Sequence, residues 1–317
     1  MYNTNRDAAE DYCRELKRRV SFDNATIGSS ISSSGEEESK LKIRLVGGDL
    51  SLESTRDKIF QCFDDEFAAK GKRNIADDGD GADCSSAELA LLVHNAGQYV
   101  GVTSANSDGL NKPEQTKKFG DGSLLISKSG NSAPYGIDDD NDKVDMSYVN
   151  YYHKLYGEAF IDLCERSLKR MREAHNINKN KRKSSYHGSI IGISSPGCNA
   201  AFSMTPGYDM PGSGKCLMEF SMRHYAINAA KFGITANVII PGVTRSDAWD
   251  KVAQQNQGLK SGEELFDRMK GMIPLGEVAE GKDIGDVVAF LSGRGGGRFM
   301  TGLSLRVDGG LHLGRMQ

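Results

Sequence analysis

The sequence predicts an α/β protein with a doubly wound parallel sheet, organised as a single domain over residues 1–317. Two observations carry that reading. Strand-like and helical segments alternate along the chain, which is the pattern of a parallel sheet with helices on both faces. Several of the strand-like runs are also apolar or nearly so, such as Leu89 to Val93, as strands covered on both sides must be. Length agrees, since 317 residues can hold one large α/β domain or two small ones.

Taken in order, Asp7 to Arg19 reads as an amphipathic helix and Leu41 to Val46 as a short strand ending at Gly47-Gly48-Asp49-Leu50. Ser54 to Ala69 places Ile59, Phe60, Phe63 and Phe67 at helical spacing. The strand Leu89 to Val93 ends in His94-Asn95-Ala96-Gly97, and a helix is expected from Tyr148 to Arg172. A buried strand follows over Ser189 to Ser194, then a helix from about Gly212 to Lys231 and the strand Thr235 to Ile240. A helical region to about Leu291 and a last strand, Ser304 to Val307, complete the pattern. Between these elements, 21–40, 71–86, 104–143 and 175–185 are rich in Ser, Gly, Asn, Asp or Lys. Such stretches bury too little apolar surface to offset ordering entropy and read as surface insertions.

Composition narrows the function classes. Lys+Arg 40 against Asp+Glu 43 gives a formal net charge of −3, so the charge balance carries neither a nucleic-acid nor an anionic-membrane footprint. No run of about 18 apolar residues is present, and the N-terminus lacks the apolar core of a signal peptide. The six cysteines form no CxxC pair, which suits reduced thiols. The expected location is the cytoplasm or a reducing organellar compartment.

The chemistry concentrates in Thr205-Pro206-Gly207-Tyr208-Asp209-Met210-Pro211-Gly212-Ser213-Gly214-Lys215. A phenol titrates near ~10 and an ammonium near ~10.4, and a neighbouring cation favours the phenolate. With Pro211 at the tolerated first position of a helix, Lys215 points back to the turn where Tyr208 enters. Asp49 follows a strand, where its carboxylate either accepts from an exocyclic amine such as that of adenine or caps a turn. Asn95-Ala96-Gly97 ends another strand with small residues that let backbone approach a flat ligand. Ser195, the Tyr208–Lys215 segment and Pro241-Gly242 all fall at carboxyl ends of strands, where open α/β sheets collect ligands.

These pieces, in this order, resemble the short-chain dehydrogenase/reductase superfamily over most of the chain, from its second strand onward. The matching residues are Gly48-Asp49-Leu50, Asn95-Ala96-Gly97, Ile193-Ser194-Ser195, Tyr208 with Lys215, Gly233 to Gly242, Ile273-Pro274-Leu275-Gly276, and Thr301-Gly302 followed by Val307-Asp308-Gly309-Gly310. The resemblance implies a Rossmann-like fold and an NAD(P)H-dependent reduction of a carbonyl or enoyl-thioester. Tyr208 would donate the proton, Lys215 would lower its pKa and hold the ribose, and Ser195 would hydrogen-bond the substrate oxygen. It also implies a cofactor site of Asp49, Leu50, Asn95, Ala96, Gly97, Lys215, Pro241, Gly242, Val243 and Ser246. Arg6 is placed to pair a 2′-phosphate, which leans towards NADP over NAD. A homo-oligomer pairing the helices at 148–172 and 212–231 is implied as well.

The chain departs from the family pattern in three places. Tyr208 precedes Lys215 by seven, with Pro211 at the usual tyrosine position, an arrangement similar to the branch that includes enoyl-acyl-carrier-protein reductases. Lys154 stands where an asparagine usually supports the lysine. Measured against the family, the sequence starts after the first glycine-rich βα unit of ~30 residues, so that unit is expected to be missing. These departures keep a second expectation in view, a non-catalytic dehydrogenase-like scaffold or truncated inactive product. Trp249 reads as a packed aromatic or a substrate wall, and Tyr151, Tyr152 and Tyr156 as packed or interfacial.

Overall fold

The computed structural model describes residues 46, 48–71, 89–96, 147–178, 188–196, 198, 209–246, 249, 261–293 and 296–314. The expected helix Asp7 to Arg19, nearly all of the strand Leu41 to Val46 and most of the four insertions lie outside these residues, as do Arg6, Gly97 and Tyr208. The chain divides into two compact units, Met1–Ala87 and Glu88–Gln317.

In the first unit, helix α1 spans Glu53–Gly71, against the expected Ser54 to Ala69. Its entry is a hydrogen-bonded turn: the Ser51 amide donates to Asp49 Oδ1 at 2.8 Å and the Leu52 amide to the Asp49 carbonyl at 3.1 Å. The Arg56 guanidinium reaches back to the Leu50 carbonyl at 2.7 Å. Phe60 is buried, as its helical spacing predicts.

The described residues of the second unit hold four parallel strands, β1 (Leu91–His94), β2 (Gly188–Ile193), β3 (Ile234–Pro241) and β4 (Ser304–Val307), in the spatial order β1-β2-β3-β4. Between β1 and β2 come α2 (Ser147–Tyr152), a π-helical turn (His153–Glu158) and α3 (Ala159–Asn178). Helix α4 (Asp209–Ala230) links β2 to β3, and α5 (Gly262–Lys270) and α6 (Gly281–Ser292) lie between β3 and β4.

Alternation along the strands explains the double winding. Ile190, Ala236, Val238 and Ile240 point into one core with Phe160, Cys164 and Met171 of α3 and Met218, Met222 and Tyr225 of α4. Their neighbours Ile191 and Ile239 point the other way, into a core with Ile284, Val287 and Leu291 of α6. Successive strand residues face opposite sides, so a strand covered on both must be apolar throughout. Two polar residues of β3 are buried and satisfied: the Thr235 hydroxyl donates to Ser189 Oγ at 3.1 Å, and fully buried Asn237 donates its amide to the Met300 carbonyl at 2.8 Å and accepts from the Leu303 amide at 3.1 Å. Asn237 ties β3 to the segment leading into β4.

The strands β1 to β3 depart from the expected Leu89–Val93, Ser189–Ser194 and Thr235–Ile240 by one or two residues at their ends, and the helices of this unit depart further. The helix expected over Tyr148 to Arg172 is interrupted by the π turn and runs on to Asn178, into the stretch expected as a loop from 175. Helix α4 starts at Asp209 rather than Gly212, because a proline within the first turn forfeits only an amide that has no intrahelical acceptor. The region to Leu291 resolves into two helices, each with its own start signal. Ser261 accepts from the Glu264 amide ahead of α5, and Glu280 and Asp283 form a reciprocal capping box ahead of α6. No helix among the described residues is long and apolar enough to cross a membrane.

Candidate active site

Lys215 is the centre of the site. It sits near the start of α4, is 3% exposed, and donates from Nζ to the Ala96 carbonyl at 3.0 Å and the Ile193 carbonyl at 2.5 Å. Those carbonyls lie just past β1 and at the last residue of β2, so the ammonium joins the carboxyl ends of two adjacent strands. Tyr156 of the π turn lies under it, with Nζ 4.2 Å from the ring centroid. The helices approach closely here: a Cβ on Gly214 would run into the Tyr152 carbonyl, so only glycine lets α4 seat the lysine against α2. His153 and Ser213 add a side-chain hydrogen bond of 2.9 Å across the same joint.

Burial sets the electrostatics. It lowers the Lys215 pKa to about 8, opposed by Cys198 and Glu219. It pushes Cys198 up to about 12, with Cys216 and Glu219 adding to the rise. His94, the last residue of β1 and 1% exposed, is lowered to about 3, first by burial and then by the Lys215 charge. Among the described residues neither of its ring nitrogens has a hydrogen-bond partner, the Leu155 backbone only partly offsets the lowering, and its ring meets Phe160 edge-on at 5.6 Å.

Ser195 lies two residues past β2 and is half-buried. The preceding Ser194 is fixed twice: its amide donates to the Ile239 carbonyl at 2.8 Å and its hydroxyl to Glu219 Oε1 at 2.5 Å. Glu219, 1% exposed and one helical turn after Lys215, also accepts from the Ser304 hydroxyl at 3.0 Å.

Of the residues singled out from sequence, Lys215, Ser195, Asn95 and Ala96 meet at the ends of β1 and β2. Pro241 and Gly242 end the next strand, β3. There the Gly242 amide donates to the Val307 carbonyl at 2.8 Å, and a Cβ on Gly242 would lie 2.6 Å from Asp308 Cα. Val243 turns its side chain into a separate core with Phe266, Ile273 and Val278, while Ser246 is exposed. Trp249 packs against that core, its indole meeting Phe266 at 5.9 Å and donating to the Thr244 carbonyl at 2.8 Å. Asp49 and Leu50 belong to the other unit, where the Asp49 carboxylate caps the turn into α1. Lys154 is exposed. Sequence reasoning passed over His94, Tyr156 as a seat for Lys215, and Glu219, although the four-residue step from Lys215 to Glu219 places both on one helix face. Among the described residues no cluster of His, Cys, Asp and Glu could hold a metal ion.

A buried lysine bridging the strand ends of a doubly wound parallel sheet, beside a serine at the end of the next strand, defines an α/β protein whose reactive edge is the carboxyl edge of the sheet. Residues 157–312 match the family model described as Enoyl-(Acyl carrier protein) reductase. A 1-cyclohexenylcarbonyl-CoA reductase of Streptomyces collinus is 34% identical over 40% of this chain and 42% of its own length. The Haemophilus influenzae 3-oxoacyl-[acyl-carrier-protein] reductase FabG is 26% identical over 86% of this chain and 98% of its own. The chain thus spans under half of the first relative and nearly all of the second. Among solved structures, an NADPH-dependent reductase involved in bacilysin biosynthesis superposes with a TM-score of 0.59 at 16% identity, covering 98% of this chain and 86% of that one. The L-sorbose reductase of Gluconobacter frateurii, complexed with NADPH and L-sorbose, gives 0.59 at 15% identity, over 98% and 85%. The chain thus resembles the short-chain dehydrogenase/reductase superfamily in sequence over residues 157–312 and beyond, and shares the fold of the solved reductases.

Proposed function

We propose that this protein is an NAD(P)H-dependent reductase acting on a carbonyl or enoyl group carried by an acyl thioester. The observation that carries the reading is the Lys215 ammonium, buried and held by the Ala96 and Ile193 carbonyls beside Ser195. The residues fit a dinucleotide. An ammonium has three N–H donors, and among the described residues Lys215 spends two on carbonyls, which suits the third to a ribose hydroxyl. Ala96, small and half-buried, suits backbone contact with a flat ring. The nicotinamide supplies the reducing equivalent when bound.

Everything else falls to the chain. Tyr208 enters α4 one residue before its first turn and is the proton donor in this reading. The Lys215 charge favours its phenolate and so makes the phenol a better acid. Ser195 donates a hydrogen bond to the substrate oxygen and stabilises charge developing there. In this reading Asn95, Ala96, Gly97, Pro241, Gly242, Ser246 and the Val243 backbone are the candidates for the cofactor, and Asp49, Leu50 and Arg6 those for its adenosine end. The thioester preference rests on the substrates that the Streptomyces and Haemophilus relatives are named for, and the NADP preference on Arg6 and on relatives solved with NADPH. A homo-oligomer through α3 and α4 accords with Phe220 and Ile227, 66% and 77% exposed on the outer face of α4.

Calorimetric titration with NADPH and NADH, followed by turnover on a panel of ketones and enoyl-thioesters, tests the proposal. Tyr208→Phe should keep cofactor affinity and lose roughly 10²–10⁴ of kcat, the range of a general acid. A wild-type chain that binds neither nucleotide would leave the scaffold reading in its place.

A further inference from the structure

Lys215 and Glu219 present one face of α4 to the end of β2, one helical turn apart, and between them they grip two consecutive residues. Lys215 takes the Ile193 carbonyl and Glu219 takes the Ser194 hydroxyl. Ser195 is the next residue. The second oxygen of Glu219 is anchored by Ser304 on β4, so the carboxylate is fixed from two strands and its own helix, and it is almost completely withdrawn from solvent. Buried carboxylates are rare unless paired or multiply hydrogen-bonded, and this one sits one helical turn from Lys215.

We propose that Glu219 is a positioning residue: it fixes Ser195 through Ser194 and serves as the through-space counter-charge that keeps Lys215 an ammonium. The proposal rests on the reductase reading for its consequence in turnover, on the two hydroxyl hydrogen bonds of Glu219 for the tether, and on its place one helical turn from Lys215, with its upward pull on the lysine, for the charge.

Among the described residues the groups facing Lys215 are His94 from β1, Tyr156 from the π turn, Cys198 from the segment after β2 and Glu219 from α4 itself. His94 is held neutral by burial. Cys198 is the larger upward influence on the lysine, but its own thiol is pushed up to about 12. It therefore carries no charge near neutral pH and cannot act as the counter-ion there. Glu219 is the remaining acidic group that raises the Lys215 pKa, and burial works against the ammonium from the other side. Losing Glu219 would move the loss of the Lys215 proton to lower pH.

The test uses the full chain labelled with 13C at lysine Cε. The Lys215 resonance, assigned by its disappearance in Lys215→Arg, is titrated in wild type and in Glu219→Gln, which keeps shape and removes charge. The expected result is a Lys215 midpoint lower by about half a unit or more in Glu219→Gln, with Glu219→Asp returning most of the way to wild type, as a nearby opposite charge demands. Equal midpoints in wild type and Glu219→Gln overturn the counter-charge. Ser194→Ala tests the tether separately, since it leaves the charge in place: amide exchange over 194–198 should quicken by about tenfold or more, and unchanged exchange overturns it. Neither readout needs turnover, so a chain that fails to bind NADPH would refute the reductase reading while these results still decide the role of Glu219. In an active enzyme, Glu219→Gln should also shift the alkaline limb of kcat to lower pH.

Discussion

Replacing His94 with leucine should remove a specific sensitivity to acid. In the native state the imidazole is buried, without hydrogen-bond partners among the described residues, and beside the Lys215 charge, and its pKa is lowered from 6.5 to about 3. The unfolded chain takes up a proton on this ring below pH 6.5 while the folded chain refuses it, so the unfolded state binds more protons and stability falls as pH falls. Each unit of separation is worth 1.36 kcal/mol. The window runs from 6.5 down to about 3, and between pH 7.5 and 4.5 the loss attributable to His94 is about 2.7 kcal/mol. Urea unfolding followed by circular dichroism at pH 7.5, 6.0, 5.2 and 4.5 in wild type and His94→Leu checks it, because other titrating groups are common to both chains. The difference between them should be flat above pH 7 and then open by about 1.4 kcal/mol per pH unit in favour of leucine. At pH 7.5 the variant should be no less stable, since an apolar side chain of similar size has no unpaired nitrogens to desolvate. A gap that stays within about 0.5 kcal/mol from pH 7.5 to 4.5, the size of an ordinary surface effect, would refute the reasoning.

Asn237→Ala strips the Met300 carbonyl and the Leu303 amide of their partner at once, a loss of about 2–4 kcal/mol; calorimetry should show Tm lower by roughly 5–10 °C, and a drop below about 2 °C would mean that water or neighbours replace both bonds. Gly242→Ala puts a methyl 2.6 Å from the Asp308 backbone, so the turn after β3 must part from that after β4 at about 1–3 kcal/mol, read as a lower urea midpoint together with weaker NADPH binding. Lys215→Met should weaken NADPH binding about 10- to 100-fold in titration calorimetry, the worth of a charge-assisted hydrogen bond of 1.5–3 kcal/mol, with circular dichroism confirming that the sheet persists; unchanged affinity would remove the lysine from the cofactor site.

How far the sequence could be read depended on how each residue is buried. Gly188–Ile193 and Ile234–Pro241 were legible, to within a residue at each end, because burial on both faces leaves mostly apolar runs, and Ser304–Val307 coincides with its expected span. Lys215 and Ser195 were legible through their order along the chain and do meet at the strand ends. The π turn was hidden, because its spacing differs from that of an α-helix by a single residue over six positions. His94 was hidden because a polar residue ending a strand looks like the start of a loop, whereas here the strand runs to His94 and Phe160 covers it. Glu219 was hidden by the general rule that puts glutamate on surfaces. Asp49 shows the limit of a residue type: the turn-capping reading describes its contact within its own unit, and a role towards adenine remains part of the proposal.

The π turn at His153–Glu158 stores one extra residue inside an otherwise continuous helix. An α-helix advances 100° per residue, so a deletion that restored plain α-helical winding there would rotate α2 about 100° against α3. Tyr152 would leave its stacking with Tyr156, and the Tyr152 carbonyl would leave the notch that Gly214 keeps open for it. In an evolving lineage this segment therefore tolerates side-chain exchange far more readily than a change of length. A homologue one residue shorter here would have to rebuild the seat of its lysine elsewhere.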